Sequence, residues 1–258
     1  RYGRWAAAAA VVLAIAAVFI AWRAPHTIAP AAQLPPAEAK APGPSPADDM
    51  IAKIGKQLET TGDNALDAFS QLLARWQVDP DSVSVREASK CPSVITNGVD
   101  CLRGRATLEQ LARFDRPLIL VLHDGAHQAH ALLQGVGPSH VRLDIGSQRY
   151  ELARPALSKF WSGEFGAVWR LPPEVPTASL KRGDAGAGVA WVKERLASLD
   201  RGAAAESGPA FFDAEVEDRV RKLQTAYGIK ADGIVGPETL FALSALDDSG
   251  PRLARTVQ

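Results

Sequence analysis

Apolar side chains follow four different patterns along the chain, and the first is an unbroken apolar run. Between Trp5 and Trp22 the sequence consists only of Ala, Val, Leu, Ile and Phe. A helix of this length spans about 27 Å, near the thickness of the hydrocarbon core of a bilayer. The run therefore predicts a transmembrane helix within residues 1–23, with a tryptophan at each membrane interface. A secretory signal peptide is the alternative interpretation, because such peptides also contain Ala-rich apolar runs.

The second pattern is a stretch dominated by alanine and proline over residues 24–47. Such a composition cannot bury a core, and it predicts an extended, semi-rigid linker. At about 3 Å per residue the linker would reach roughly 70 Å when fully extended. A shorter proline-rich boundary lies at residues 171–176.

The third pattern, over residues 48–171, changes from helical to strand-like spacing. Apolar residues at helical spacing predict a helix over about 50–76 that breaks at Gly62-Asp63. The segment Thr107-Leu108-Glu109-Gln110 has the capping-box spacing that starts a short helix. Later apolar residues predict strands over 118–123, 129–136, 141–144, 148–152 and 165–170. Helices followed by antiparallel strands indicate an α+β domain.

The fourth pattern, over residues 178–247, is that of three short helices. Their apolar stripes are Val189, Val192, Leu196 and Leu199; Val216, Val220, Leu223 and Tyr227; and Leu240, Leu243 and Leu246. Asp213 is placed as the N-cap of the second helix, and Pro237 as the first residue of the third. Helices this short are unstable alone in water, so the three are expected to pack as a bundle.

Charge and cysteine content narrow the class of protein. The chain has 29 basic and 29 acidic side chains, and this balance argues against a nucleic-acid partner. Its two cysteines, Cys91 and Cys101, predict a disulfide in an oxidising compartment, with a reactive thiol as the alternative. The histidines and cysteines show no metal-ligand spacing, so no metal site is predicted. No Gly-rich phosphate-binding loop occurs, and no cofactor is predicted.

The C-terminal helices resemble a known module. Leu180-Lys181-Arg182-Gly183-Asp184 opens the first helix, and Asp232-Gly233-Ile234-Val235-Gly236-Pro237, followed by Thr239, precedes the third. These motifs resemble the three-helix peptidoglycan-binding bundle that is appended to cell-wall enzymes and envelope proteins.

The resemblance implies that peptidoglycan binds in a groove between the second and third helices. The candidate binding residues are Arg182, Phe212, Tyr227, Asp232 and Thr239, with Phe212 as a packing wall. Asp232 and Thr239 could instead serve only the turn and the helix cap. A bundle that binds nothing remains the simpler alternative.

The middle domain carries a second resemblance. Cys101-Leu102-Arg103-Gly104, His130-Ala131-Leu132-Leu133 and Leu143-Asp144 resemble the peptidase-like domain of the general secretion pathway protein A family, which is similar to bacteriocin-processing cysteine peptidases. If the domain is active, the resemblance implies a papain-like layout with Cys101 on a helix as nucleophile, His130 as base and Asp144 as orienting group. Matching the strand to the family, however, puts Ala129 in the histidine column. Since neighbouring strand residues face opposite sides, His130 would point away from the site, and a degenerate papain-like α+β domain without enzymatic activity is predicted.

The second resemblance also implies a setting. Proteins of this family carry, in order, a cytosolic ATPase, a membrane span, the degenerate peptidase-like domain and a peptidoglycan-binding module. We therefore expect a single-pass protein of the bacterial inner membrane with its C-terminal region in the periplasm, and whether an ATPase segment precedes Arg1 is left open. The implied role is to assist assembly of the type II secretion system secretin.

The implied partners are peptidoglycan, the inner membrane, general secretion pathway protein B and the secretin, and homo-oligomerisation is left open. Two alternatives also remain open. One is an active papain-like cysteine peptidase targeted to the cell wall, and the other is a generic wall anchor or hydrolase accessory protein. A hydrolase would need convergent carboxylates or a zinc site, and neither occurs at recognisable spacing.

Overall fold

The computed structural model describes residues 45–172, 175, 179–199, 210–246 and 249–257. The predicted transmembrane helix of residues 1–23 and the predicted linker, up to residue 44, lie outside the described residues. Within the described part of the chain, no helix is both long and apolar enough to cross a bilayer.

The middle part of the chain is a mixed helix and sheet domain, as the α+β prediction requires. Its helices are α1 (Pro46–Thr61), α2 (Ala65–Arg75), a 3₁₀ turn (Pro80–Ser82), α3 (Val85–Ala88), α4 (Leu108–Phe114) and α5 (Arg154–Leu157). Its strands are β1 (Val94–Thr96), β2 (Val99–Arg105), β3 (Leu118–Asp124), β4 (His127–Val136), β5 (His140–Ile145), β6 (Gln148–Ala153) and β7 (Trp161–Arg170). They form one sheet in the order β1-β2-β7-β3-β4-β5-β6, and each neighbouring pair is antiparallel.

Local signals predicted several element boundaries correctly. The break at Gly62-Asp63 is confirmed, because α1 ends at Thr61 and α2 begins at Ala65. The capping box before α4 is confirmed: the Thr107 hydroxyl accepts the N–H of Gln110, and the Gln110 side chain accepts the N–H of Thr107. A further capping box at the start of α1, formed by Ser45 and Asp48, was not predicted.

The hairpin of β1 and β2 was also not predicted, and the layout that placed Cys101 on a helix is wrong. Cys101 lies on β2, opposite Val168 of β7. Alternation of apolar and polar residues is weak in β2, because Asp100 is buried between Val99 and Cys101 and the strand ends in arginines. Its strand conformation depends on pairing with β7, which is more than sixty residues away in sequence and gives no local signal.

The C-terminal part contains the three predicted helices, α6 (Ala187–Ala197), α7 (Ala214–Tyr227) and α8 (Pro237–Ser244). Asp213 caps α7 by accepting the N–H of Val216, and Pro237 opens α8, both as predicted. Leu199 does not join the buried stripe of α6, because it lies beyond the end of the helix and its side chain is exposed.

A buried arginine joins the two parts of the chain. Arg116, just before β3, is fully buried, and its Nη2 donates to the Ser244 carbonyl at the end of α8 (2.7 Å). Its Nη1 donates to the Pro251 carbonyl (3.0 Å), and the guanidinium lies 5.5 Å from the centre of the Trp76 ring. The C-terminal part therefore supplies two of the carbonyl groups that satisfy the buried guanidinium of Arg116.

Aromatic rings and the chain after α8 complete the junction. Phe241 of α8 lies 4.7 Å from Phe114 and 5.2 Å from Trp169, measured between ring centroids. After α8, the main chain of Ala254 donates to Gln134 (2.9 Å) and accepts from Val136 (3.0 Å), so residues 249–257 bind along β4. Residues 44–258 consequently form one compact unit.

We expect Arg116→Ala to lower the free energy of unfolding by about 3 kcal/mol, because it removes two charge-assisted hydrogen bonds and leaves a cavity and two carbonyls without their donor. Arg113→Ala is the matched control: Arg113 is exposed and makes one hydrogen bond across the junction, to the Ala226 carbonyl. It should cost less than about 1 kcal/mol. Urea unfolding followed by circular dichroism measures both changes, and equal midpoints for the two variants would contradict the role of Arg116.

Candidate functional site

The two cysteines form a disulfide, as predicted. Cys91 and Cys101 are bonded, with their Cα atoms 5.3 Å apart, and the Cys101 side chain is buried. The bond ties the segment before β1 to β2. In this state Cys101 has no thiolate to act as a nucleophile.

The residues named for a peptidase site do not come together. Cys101 lies on β2 and His130 on β4, with β7 and β3 between them. Three strand spacings separate the two residues by at least roughly 14 Å, far beyond hydrogen-bond reach. Asp144 on β5 accepts from Arg149 Nε (2.8 Å) and from Gln134 Nε2 (2.5 Å), and not from an imidazole. Burial would raise the pKa of Asp144, but these hydrogen bonds lower it below its ordinary value.

His130 instead meets the start of α2. Its main-chain N–H donates to Asn64 Oδ1 (2.7 Å), and its carbonyl accepts from Asn64 Nδ2 (2.8 Å). Its ring Nδ1 lies 3.8 Å from Asp63 Oδ1. Burial lowers the pKa of His130, and the Asp63 carboxylate opposes this effect only in part. The sequence predicted a break at Gly62-Asp63 but gave no sign that Asn64 would bind a strand sixty-six residues away.

Among the other histidines that the structure describes, His123 has an acidic neighbour. His123 Nε2 lies 3.6 Å from Glu164 Oε2, and both side chains are partly exposed. In the part of the chain that the structure describes, no group of three or more His, Cys, Asp or Glu side chains is placed to hold a metal ion.

In the C-terminal helices a buried glutamine organises the turn before α8. Gln224 Nε2 donates to Asp232 Oδ1 (3.1 Å), to the Ile234 carbonyl (2.9 Å) and to Thr239 Oγ1 (3.1 Å). Gln224 Oε1 accepts the Gly233 N–H (2.9 Å). One amide thus fixes the turn, and it joins Asp232 and Thr239 in the same hydrogen-bond network.

The other candidate binding residues lie in different surroundings. Arg182 is exposed, with Nη1 3.9 Å from Glu217 Oε2. Phe212 is fully buried, which fits a packing wall, and Thr239 is buried as well. Tyr227 lies at the domain junction, 5.5 Å from Phe114 between ring centroids, and burial raises its pKa. The five residues therefore do not line one surface: Tyr227 faces the middle domain, and Arg182 faces solvent.

Two exposed apolar residues flank the Arg182 segment and were not predicted. Phe211 is 45% exposed and pairs with Ala185 in a short β-bridge. Ile234 is 39% exposed and precedes Val235, which pairs with Leu180. Both therefore adjoin residues 180–185, the segment that carries Arg182. We call Arg182, Phe211 and Ile234 the Arg182 surface.

Ion pairs and hydrogen bonds hold the charged side chains near the Arg182 surface in place. Glu217 Oε1 accepts from Arg221 Nη2 (2.5 Å), and Arg221 Nη2 also donates to the Asp232 carbonyl (3.3 Å). Hydrogen bonds from the Ile234 N–H, then from Gln224 and Lys230, lower the pKa of Asp232, so its carboxylate stays ionised at neutral pH. The surface thus combines an aromatic ring, an aliphatic side chain and charges of both signs. Such a set suits a ligand with sugar rings and ionised peptide groups.

Each of the two parts of the chain matches a known protein family. Residues 56–171 match the family described as GspA, peptidase C39-like domain. Residues 185–243 match the family described as putative peptidoglycan binding domain.

Individual relatives cover both parts. General secretion pathway protein A of Aeromonas hydrophila is 29% identical over 194 residues, which are 74% of this chain and 34% of that protein. Putative general secretion pathway protein A of Escherichia coli (strain K12) is 23% identical over 180 residues, covering 69% of this chain and 35% of that protein. This chain thus spans about a third of the length of the curated relatives that it matches.

Among solved structures, a periplasmic domain of the EpsAB fusion protein of the Vibrio vulnificus type II secretion system is similar to this chain. It has 23% sequence identity and a TM-score of 0.48, and the match covers 70% of this chain and 79% of that one.

We expect neither cysteine of the native protein to react with iodoacetamide until a reductant is added, because both sulfur atoms are in the disulfide. Replacing both cysteines by serine should lower the free energy of unfolding by about 2–3 kcal/mol, as expected for a loop of this size. Intact-mass measurement before and after reduction reads out the first result, and urea unfolding the second. Rapid alkylation of Cys101 in the native, unreduced protein would instead support the cysteine peptidase alternative.

The lowered pKa of His130 leads us to expect a loss of stability in mild acid. Its pKa is lowered in the folded protein, whereas the unfolded chain binds the proton near the ordinary value of about 6.5. As pH falls below that value, proton binding favours the unfolded chain, and the loss continues until pH passes the folded-state pKa. His130→Gln should remove this part of the decline in urea-unfolding free energy between neutral pH and about pH 5. The exposed His127→Gln is the control, and an identical decline in the two variants would rule out His130 as the cause.

Proposed function

We propose a function from one premise: this chain is homologous to general secretion pathway protein A, with a GspA peptidase C39-like domain followed by a putative peptidoglycan-binding domain. The function is to bind peptidoglycan in the periplasm in support of a type II secretion system. In this proposal the chain is a binding protein and not a peptidase.

The state of Cys101 supports a non-enzymatic middle domain. A papain-like reaction needs a thiolate within hydrogen-bond reach of an imidazole. Cys101 is instead in a disulfide, and two strands lie between its strand and that of His130. The groups that contact His130 are a carboxylate and an amide, from Asp63 and Asn64, and neither is a nucleophile of this class.

The Arg182 surface is the observation that carries the wall-binding proposal. Its three residues are exposed, whereas Phe241 is buried and Tyr227 contacts Phe114 at the domain junction. An exposed aromatic ring can stack on the apolar face of a sugar. An exposed guanidinium can pair with a stem-peptide carboxylate through two parallel hydrogen bonds.

The finer proposal concerns where the protein acts. The apolar run of residues 5–22 would hold the chain in the inner membrane, and the linker of residues 24–47 would let the folded unit reach the wall. A unit tethered at the membrane and bound to peptidoglycan would stand where a secretin must pass the wall. We therefore propose that it assists secretin assembly together with a membrane partner of the general secretion pathway protein B type.

Co-sedimentation with purified peptidoglycan sacculi tests wall binding. We expect the full chain, kept in mild detergent, to pellet with sacculi, and the double variant Arg182→Gln/Phe211→Ser to bind at least about tenfold more weakly, because it loses a charge-assisted hydrogen bond and an aromatic contact. The matched control is Lys53→Gln/Leu199→Ser, which removes one exposed positive charge and one apolar side chain of similar exposure elsewhere.

The control variant should pellet like the wild type. A wild-type chain that stays in the supernatant would refute wall binding. Equal loss of binding in the two double variants would remove the Arg182 surface from the proposal.

A further inference from the structure

A cleft opens at the junction between the peptidase-like part and the C-terminal helices. Its volume is about 510 Å³, and both parts contribute to its walls. Arg75, Trp76 and Arg170 line it from one side, and Trp191 and Ser244 from the other. A cleft between two packed parts is a common location for a ligand site.

The two tryptophans of this junction cleft have buried indole N–H groups. Trp76 is 6% exposed and Trp191 is 7% exposed, and within the described part of the chain neither indole N–H has a hydrogen-bond partner. A buried tryptophan normally finds an acceptor for its N–H, because an unmet buried donor is unfavourable. Two such donors at one cleft indicate a region in which the protein alone does not satisfy its polar groups.

The charges of the described lining residues are positive. Arg75 is exposed and makes no hydrogen bond or ion pair within the described part of the chain, although its charge acts on Asp144 at longer range. Arg170 donates one hydrogen bond, from Nη2 to the Gln77 carbonyl (2.7 Å). The described lining contains no carboxylate, while Asp247 and Asp248, next to Ser249 in sequence, lie outside the described residues.

The backbone of Gln77 helps to place Arg170. Gln77 follows the end of α2 in a left-handed conformation (φ 52°), which is unfavourable for a residue with a side chain by roughly 1 kcal/mol. In that conformation its carbonyl accepts from Arg170. The strained residue thus holds a guanidinium at the edge of the cleft.

Arg116 fixes both walls of the junction cleft. Its guanidinium lies over Trp76 and binds the carbonyls of Ser244 and Pro251, all of which belong to residues that line the cleft. Because the walls are held in place before any ligand arrives, binding would not require ordering of the two parts.

We propose that the junction cleft binds a carboxylate group of the peptidoglycan stem peptide, as a second subsite separate from the Arg182 surface. This inference rests on the proposed function. Arg75 and Arg170 supply the positive charge for the carboxylate, and Trp76 and Trp191 supply an apolar wall. The neutral glycan, in contrast, has no group that requires the two arginines.

Isothermal titration of the full chain with a soluble disaccharide tetrapeptide tests the cleft. We expect Arg75→Gln/Arg170→Gln to raise the Kd at least about tenfold, because each arginine provides a charge-assisted contact. The same muropeptide with its carboxylates converted to primary amides should bind Arg182→Gln/Phe211→Ser at least about tenfold more weakly than the acid does, because this variant lacks the Arg182 guanidinium and only the cleft arginines remain to bind a carboxylate. The control Lys53→Gln/Arg86→Gln removes two exposed positive charges that do not line the cleft, and it should leave the Kd unchanged.

Two further results separate this inference from the proposed function. If the wild type pellets with sacculi while the arginine and control variants have equal Kd values for the muropeptide, the cleft inference is refuted and wall binding stands. Equal binding of the acid and the amide by Arg182→Gln/Phe211→Ser would refute the cleft inference in the same way. If the wild type does not pellet with sacculi, the proposed function fails and the cleft inference fails with it. Retention of muropeptide binding within about threefold by Arg182→Gln/Phe211→Ser would support two separate subsites.

Discussion

The burial of Arg116 is the constraint on which the arrangement of the folded unit depends. A guanidinium keeps its charge at any physiological pH, so a buried arginine must be surrounded by acceptors. Two of these acceptors are carbonyls of the C-terminal part, at Ser244 and Pro251. The peptidase-like sheet therefore cannot place Arg116 in its interior unless the helices and the segment after them are docked. The Arg116 contacts, the ring contacts of Phe241 and the pairing of Ala254 with β4 together join the two parts into one compact unit.

Features set by neighbouring residues were predictable from the sequence, and features set by distant residues were not. The capping box at Thr107, the cap at Asp213 and the start of α8 at Pro237 each depend on a few adjacent positions. The disulfide followed from two cysteines ten residues apart in a chain expected in an oxidising compartment. The strand that carries Cys101 escaped prediction because its pairing with β7 leaves no trace in the local pattern.

Contacts at the domain junction and among the candidate binding residues were not predictable from local sequence either. Arg116 and its acceptor Ser244 are 128 residues apart, and the residues next to either one give no signal of the contact. Tyr227 was correctly placed on an apolar stripe, but nothing in the sequence indicated that its ring would contact Phe114 of the middle domain. The aromatic position that does reach solvent, Phe211, lies one residue before the buried Phe212. Neighbouring positions in an extended segment point in opposite directions, and the apolar character of both gave no means to tell them apart.

The segment of residues 249–257 has a consequence for the order in which the molecule can mature. Multidomain chains usually fold one domain at a time, beginning with the domain that leaves the ribosome or translocation channel first. In this chain the earlier domain holds a permanent cation whose acceptor at Pro251 emerges more than a hundred residues later. In β4, the main-chain groups of Gln134 and Val136 likewise find their hydrogen-bond partner in Ala254. The domain of residues 48–171 therefore acquires these contacts only after residues 249–257 have been synthesised, and until then Arg116 lacks its acceptor at Pro251.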